Sequence, residues 1–268
     1  MLPAAVVLVV AVMVIPLPSA VLDVLIVANL STAILILLVS MNVKQALEFS
    51  SFPSLLLVVT LLRLGLNVAT SRAVLSKGHA GDVIATFGSV VVGGSLVVGL
   101  VIFLILTLVQ FVVISNGSGR VAEVTARFTL DAMPGKQMAI DADLNAGVIT
   151  QDEARARRAE VRAEADFYGS MDGASKFVRG DAMAAILILL INMIGGLAIG
   201  TMAHGLSFSD AARVYALLTI GDGLVAQIPA LLLSTAVAVI VTRMSRDQDM
   251  GGEVAARLFG DPRLLGVA

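Results

Sequence analysis

A chain of 268 residues that is 58% hydrophobic and only 14% charged, with a mean hydropathy of +0.97, departs from a soluble domain, which carries about 25% charged residues. It indicates an integral membrane protein. The net charge of −2 offers no global attraction to nucleic acid, and the lack of Cys in this sequence excludes disulfides, thiolate chemistry and cysteine-type zinc sites.

A helix crossing the hydrocarbon needs about 20 apolar residues, and that length predicts six spans. Leu2 to Leu17 is apolar and closes on Pro16 and Pro18. It lacks the basic start of a signal peptide, so a first span is expected. Val21 to Val39 is the second. Pro53 to Val74 is the third and holds Arg63, Asn67 and Arg72. Ser89 to Ile114 is the fourth, Ala182 to Met202 the fifth and Leu217 to Val241 the sixth. Residues 115–180 hold nine of the 18 Lys and Arg and ten carboxylates, too many for lipid. Within them Thr150 and Glu153 form a T-x-x-E capping box that predicts a helix from Gln151 to about Phe167.

The expected class is therefore all-α, a polytopic helical membrane protein. Residues 1–114 supply spans one to four, 115–180 a helical cytoplasmic loop, 181–243 spans five and six, and 244–268 a cytoplasmic tail. Basic residues set the orientation. The loop and the tail, with Arg243, Arg246, Arg257 and Arg263, are both basic-rich and two spans apart. Both then lie inside, as does the N-terminus, although Arg72 and Lys77 fall on the opposite side.

Ionisable groups within spans are costly and mark candidate sites. Asp23 lies near the outer end of span two, Arg63 in the middle of span three, and Asp222 near the outer end of span six between Gly221 and Gly223. With Pro229 following, a broken or kinked helix is expected there, which frees carbonyls for ions. A structural pairing of Arg63 with Asp23 or Asp222 is the alternative. Asp181 precedes span five behind Lys176 and Arg179. It reads either as that helix's N-cap or as a carboxylate that exchanges protons at the cytoplasmic mouth.

Other motifs lead nowhere. Asp141, Asp143 and Asn145 open like a calcium loop, but Ala146 holds the place where the sharp turn needs Gly. A polar turn into the capped helix is expected instead. His79 and His204 have no nearby ligand partners, so no metal site is expected, and no motif implies a cofactor. Gly196 and Gly200 fit the close-packing pattern of membrane helices. No phosphate loop or nucleophile triad is visible, so an enzyme is not expected.

Four stretches carry a resemblance. "FPSLLLVVTLLRLGLNVATSR" (52–72), "RVAEVTARFTLDAMPGKQMAIDADLNAG" (120–147), "EADFYGSMDGASKFVRGDA" (164–182) and "LLTIGDGLVAQIPALLLSTAVAVIVTR" (217–243) resemble the signature of the FHIPEP family. These are the large export-gate proteins of bacterial type III secretion, and the likeness is to the flagellar branch over the injectisome branch. The resemblance implies a multi-pass protein of the bacterial inner membrane in a homo-oligomeric ring around other export-apparatus membrane proteins. It implies coupling of proton-motive force, or sodium flow, to protein export. By motif, Asp181 matches an essential carboxylate, Lys176 falls in the same motif, and Arg63, Arg72 and Asp222 match charged positions in or beside spans. Arg120, Arg127 and Asp131 match loop positions tied to ion coupling. Family members continue into a large domain that docks chaperones and exported substrates, so this chain is expected to be a fragment. An ion-coupled secondary transporter and a structural membrane scaffold are the other classes the buried charges allow.

Overall fold

The computed structural model describes residues 2–243, and the expected tail at 244–268 lies outside the described residues. In chain order the elements are α1 (Leu2–Val14), α2 (Ser19–Asn42), a 3-10 turn (Ala46–Phe49), α3 (Phe52–Lys77), α4 (Asp82–Val92), α5 (Leu96–Val109), a π-helical stretch (Gln110–Ser115), α6 (Asn116–Asn145), α7 (Gln151–Met202) and α8 (Phe208–Thr242). The described residues are all-α, as expected. Backbone groups in lipid must bond within their own segment, and a helix does this without neighbours.

Among the described residues five helices, not six, are long and apolar enough to cross a membrane. The apolar start yields only the 13 residues of α1, about 20 Å of rise against a hydrocarbon layer of about 30 Å. The uniform apolarity of Ser89 to Ile114 conceals a break. Gly93 and Gly94 turn the chain at φ of 50° and 92°, where residues other than glycine are strained, and so separate α4 from α5. Beyond that turn α5, the π-helical stretch and α6 form one rod from Leu96 to Asn145.

Residues 115–180 are mainly helical, and their helices continue those of the spans. α6 prolongs α5, and α7 runs unbroken for 52 residues through Asp181 into the fifth span. At 1.5 Å per residue α7 is about 78 Å long, so roughly 30 residues stand clear of the apolar layer. α6 and α7 pack side by side as a hairpin. Thr150 starts α7 as expected. Its hydroxyl accepts from the Glu153 backbone N–H at 3.3 Å, and the Thr150 N–H donates to the Glu153 carboxylate at 2.7 Å. The hydrogen bonds from Thr150 hold the Glu153 carboxyl below its ordinary range. The calcium-loop lookalike is spent on ion pairs across the hairpin: Asp141 meets Arg158, and Asp143 meets Arg157 at 3.3 Å.

Two spans, α3 and α8, are the most enclosed. Leu56 and Val59 of α3 share a cluster with Leu233, Val237 and Ile240 of α8 and with Ala33 and Ile36 of α2. Toward the other end, Leu66 and Val74 pack with Leu22, Ile26, Ile84 and Tyr215. Lipid gives helices no hydrophobic reason to associate, so small residues that permit close contact matter more. Gly196 and Gly200 do this within the chain, where Cβ atoms would lie 2.3 Å and 2.6 Å from the ring of Tyr215 on α8.

Candidate functional site

The third span repeats its polar residues with a helical period. Arg63, Asn67, Thr70 and Ser71 fall at steps of four, three and one, which places them along one stripe. The stripe faces α7 and α8, and all but Ser71 are buried. From α7 come Asp181 and Asn192, eleven residues or three turns apart on the same face. From α8 come Thr219 and Asp222, both buried.

The central contact is an ion pair between the Arg63 guanidinium and Asp181 Oδ2, with both side chains almost wholly buried. Further along, Asn192 Nδ2 donates to Ser71 Oγ at 3.0 Å and to Asp222 Oδ2 at 3.3 Å, tying α7 to α3 and α8. Gln227 of α8 donates to Thr107 of α5 at 2.6 Å. Several buried polar atoms nevertheless lack a protein partner: Arg63 Nη1, Asp181 Oδ1, Gln110 Nε2, Asn192 Oδ1 and Thr219 Oγ1. An unsatisfied buried group costs about 1–3 kcal/mol.

Two small cavities adjoin these atoms. The first, of about 30 Å³, is lined by Arg63, Asn67, Gln110 and Asp181, with Thr107 and Gln227 on its wall. The second, of about 20 Å³, is lined by Asn67, Thr219 and Asp222. Each exceeds the roughly 10–15 Å³ that one water requires.

This geometry revises several expectations. Asp181 is not an N-cap, because α7 is helical for thirty residues before it. Its short-range partner is Arg63, which therefore pairs with neither Asp23 nor Asp222. Asp222 lies well inside α8, which begins at Phe208, nine residues ahead of the apolar run. Nor is α8 broken there. Its helix is continuous through Gly221, Gly223 and Pro229, and the glycines serve close approach to neighbours instead.

The remaining candidates lie outside this buried network. Asp23 of α2 caps α4 from outside, accepting from the backbone N–H groups of Asp82 at 3.0 Å and Val83 at 3.1 Å. Gly81, at φ 113°, lets the chain pass, since a Cβ there would lie 2.3 Å from Asp23 Oδ1. Arg72 closes the end of α1 by donating to the Val14 carbonyl at 2.6 Å. Lys176 is exposed and pairs with Asp172 at 2.7 Å, which raises its pKa. Arg120, Arg127 and Asp131 line an exposed face of α6, with Arg127 and Asp131 3.8 Å apart. Asp23→Ala is expected to fray the first turn of α4 and to cost about 1–2 kcal/mol, whereas Asp23→Asn keeps most of the cap. Hydrogen exchange at the Asp82 and Val83 amides measures the difference.

Asn192, Gln110, Thr219 and Gln227 join the site without having been singled out in the sequence. The signal was present in Asn192, a lone amide in "AILILLINMIGG". Gln110 opens the π-helical stretch, a backbone form that often marks function.

The FHIPEP family description matches residues 9–268. The chain is 57% identical to the flagellar biosynthesis protein FlhA of Salmonella typhimurium and to that of Bacillus subtilis, over 98% of its own length in both cases. The FlhA of Proteus mirabilis is 55% identical over the same share. This chain spans 38–39% of the length of these relatives. No solved structure matches it significantly.

Proposed function

The chain belongs to the FHIPEP family, and from that membership we propose that it forms the membrane part of an export gate in a bacterial type III secretion apparatus of the flagellar branch. It is a multi-pass protein of the inner membrane. It couples proton-motive force to protein export, and it is not an enzyme. The hairpin of α6 and α7 lies in the cytoplasm. Copies assemble in a ring with other export-apparatus membrane proteins. The apolar Val121, Val124 and Phe128, exposed at helical spacing on the hairpin, suit such contacts. Chaperones and exported substrates engage parts of the longer relatives that this chain does not span.

One observation supports the coupling. A single unbroken helix, α7, carries Asp181 inside the bundle and the hairpin outside it. Protonation of Asp181 would leave the buried Arg63 charge without its counter-charge, a state costly enough to move the helix. A displaced α7 would carry Lys176 and the α6 face bearing Arg120, Arg127 and Asp131 with it.

The test places this segment in a full-length flagellar relative and measures export in a secreting cell at matched protein level. Asp181→Asn still accepts a hydrogen bond from Arg63 but cannot take up a proton, and it is expected to abolish export. Asp181→Glu is expected to retain part of it. Wild-type export by the Asn variant, with the proton gradient intact, sinks the reading. A transporter would instead move small solutes, and a scaffold would tolerate the substitution.

A further inference from the structure

The site holds two buried carboxylates, Asp181 and Asp222, and the proton coupling proposed above uses only the first. Asp222 meets Asn192, and Asn192 stands three turns along α7 from Asp181, about 16 Å of helix rise. No side chain spans that distance. Two cavities lie along it, one walled by each carboxylate. They share the walls Asn67, Ala185, Leu189, Gly223 and Ala226. Asn67 is the polar residue among these five, and it sits one turn along α3 from Arg63.

We propose that Asn67 is the bridge of a water-filled proton relay from Asp222 to Asp181, its amide orienting the water that passes between the two cavities. This rests on the proton-coupling reading. Three observations carry it. Each cavity admits at least one water by volume. Each is lined by buried polar groups that lack a protein partner, Thr219 in one and Arg63, Gln110 and Asp181 in the other. Each has one carboxylate in its wall, Asp222 or Asp181.

The transfer balances. Protonated Asp222 releases its proton to a water in its cavity, and that water passes a different proton onward beside Asn67. The last water gives one to Asp181 Oδ1, the oxygen left free by Arg63. Every water ends neutral, Asp222 ends as carboxylate, and Asp181 ends as carboxylic acid. The Asn67 amide donates to one water and accepts from the next but carries no proton itself. Gln110 supplies the equivalent donor at the Asp181 end.

Proton flux through the chain reconstituted in liposomes tests this, with an internal pH dye and an imposed potential in sodium-free buffer. Asn67→Leu removes the polar bridge, and Ala226→Leu fills the shared wall from α8. Each is expected to lower flux about tenfold or more, the rate equivalent of losing one hydrogen bond along the path. Asn67→Ser is expected to restore flux above the Leu level. Circular dichroism and elution volume confirm that each variant is folded, and Ala226→Leu decides the matter if Asn67→Leu is not. Should Asp181→Asn abolish flux while Asn67→Leu and Ala226→Leu conduct normally, the relay is wrong and the coupling reading stands. Absence of flux in the wild-type chain, or normal flux in Asp181→Asn, overturns both.

Discussion

Arg63→Leu is expected to destabilise the helix bundle by about 3–5 kcal/mol, whereas Arg63→Leu together with Asp181→Leu is expected to recover most of that loss. The asymmetry follows from burial. Arg63 is 2% exposed and Asp181 3% exposed, so neither can reach water if the other is removed. A lone carboxylate between α3 and α7 keeps its full desolvation cost. Two leucines carry no such cost. Equilibrium unfolding in mixed micelles of the four proteins closes a double-mutant cycle, whose interaction energy isolates the pair. A loss below about 1 kcal/mol for the single variant, the scale of an exposed pair, would show that solvent reaches the site. A double variant no better than the single would show that the two charges act independently.

Gly221→Ala is the second large effect. Its Cβ would lie 2.0 Å from the Ile84 carbonyl oxygen and 3.0 Å from the Gly88 backbone nitrogen. Both neighbours are backbone atoms of α4, which Asp23 holds at its start, so relief requires moving a whole helix. A loss of about 3 kcal/mol is expected, at the upper part of the range for overpacking. It outweighs the gain of about 1 kcal/mol in helix propensity. Gly195→Ala is the comparison. Its Cβ would meet Leu75 at 3.6 Å, an ordinary contact, so the change is expected to leave stability unchanged or raise it by up to about 1 kcal/mol. The same unfolding assay reads both. Equal effects at the two positions would mean that α4 does not pack closely on α8.

Much of this protein could be read from residue order. Membrane residence follows from composition, since 58% apolar residues cannot be hidden within a fold of this size. Thr150 and Glu153 announced the start of α7 because a capping box is a local device, completed within four residues. The motifs carried the family, and Asp181, Arg63 and Asp222 stood out because ionised groups are rare in apolar runs. Tertiary structure decided what those groups touch. Asp181 looked like a cap because hydropathy changes there, but hydropathy marks where lipid begins and not where a helix does. The helix had begun thirty residues earlier. Arg63 finds Asp181, 118 positions away in sequence, through the packing of α3 on α7. Asp23 likewise caps a helix 59 residues downstream. Partners so distant leave no local periodicity, and a single chain offers no other sign of them. The cavities around Asn67 belong to the same class, because a void is defined by several helices at once and by no segment alone.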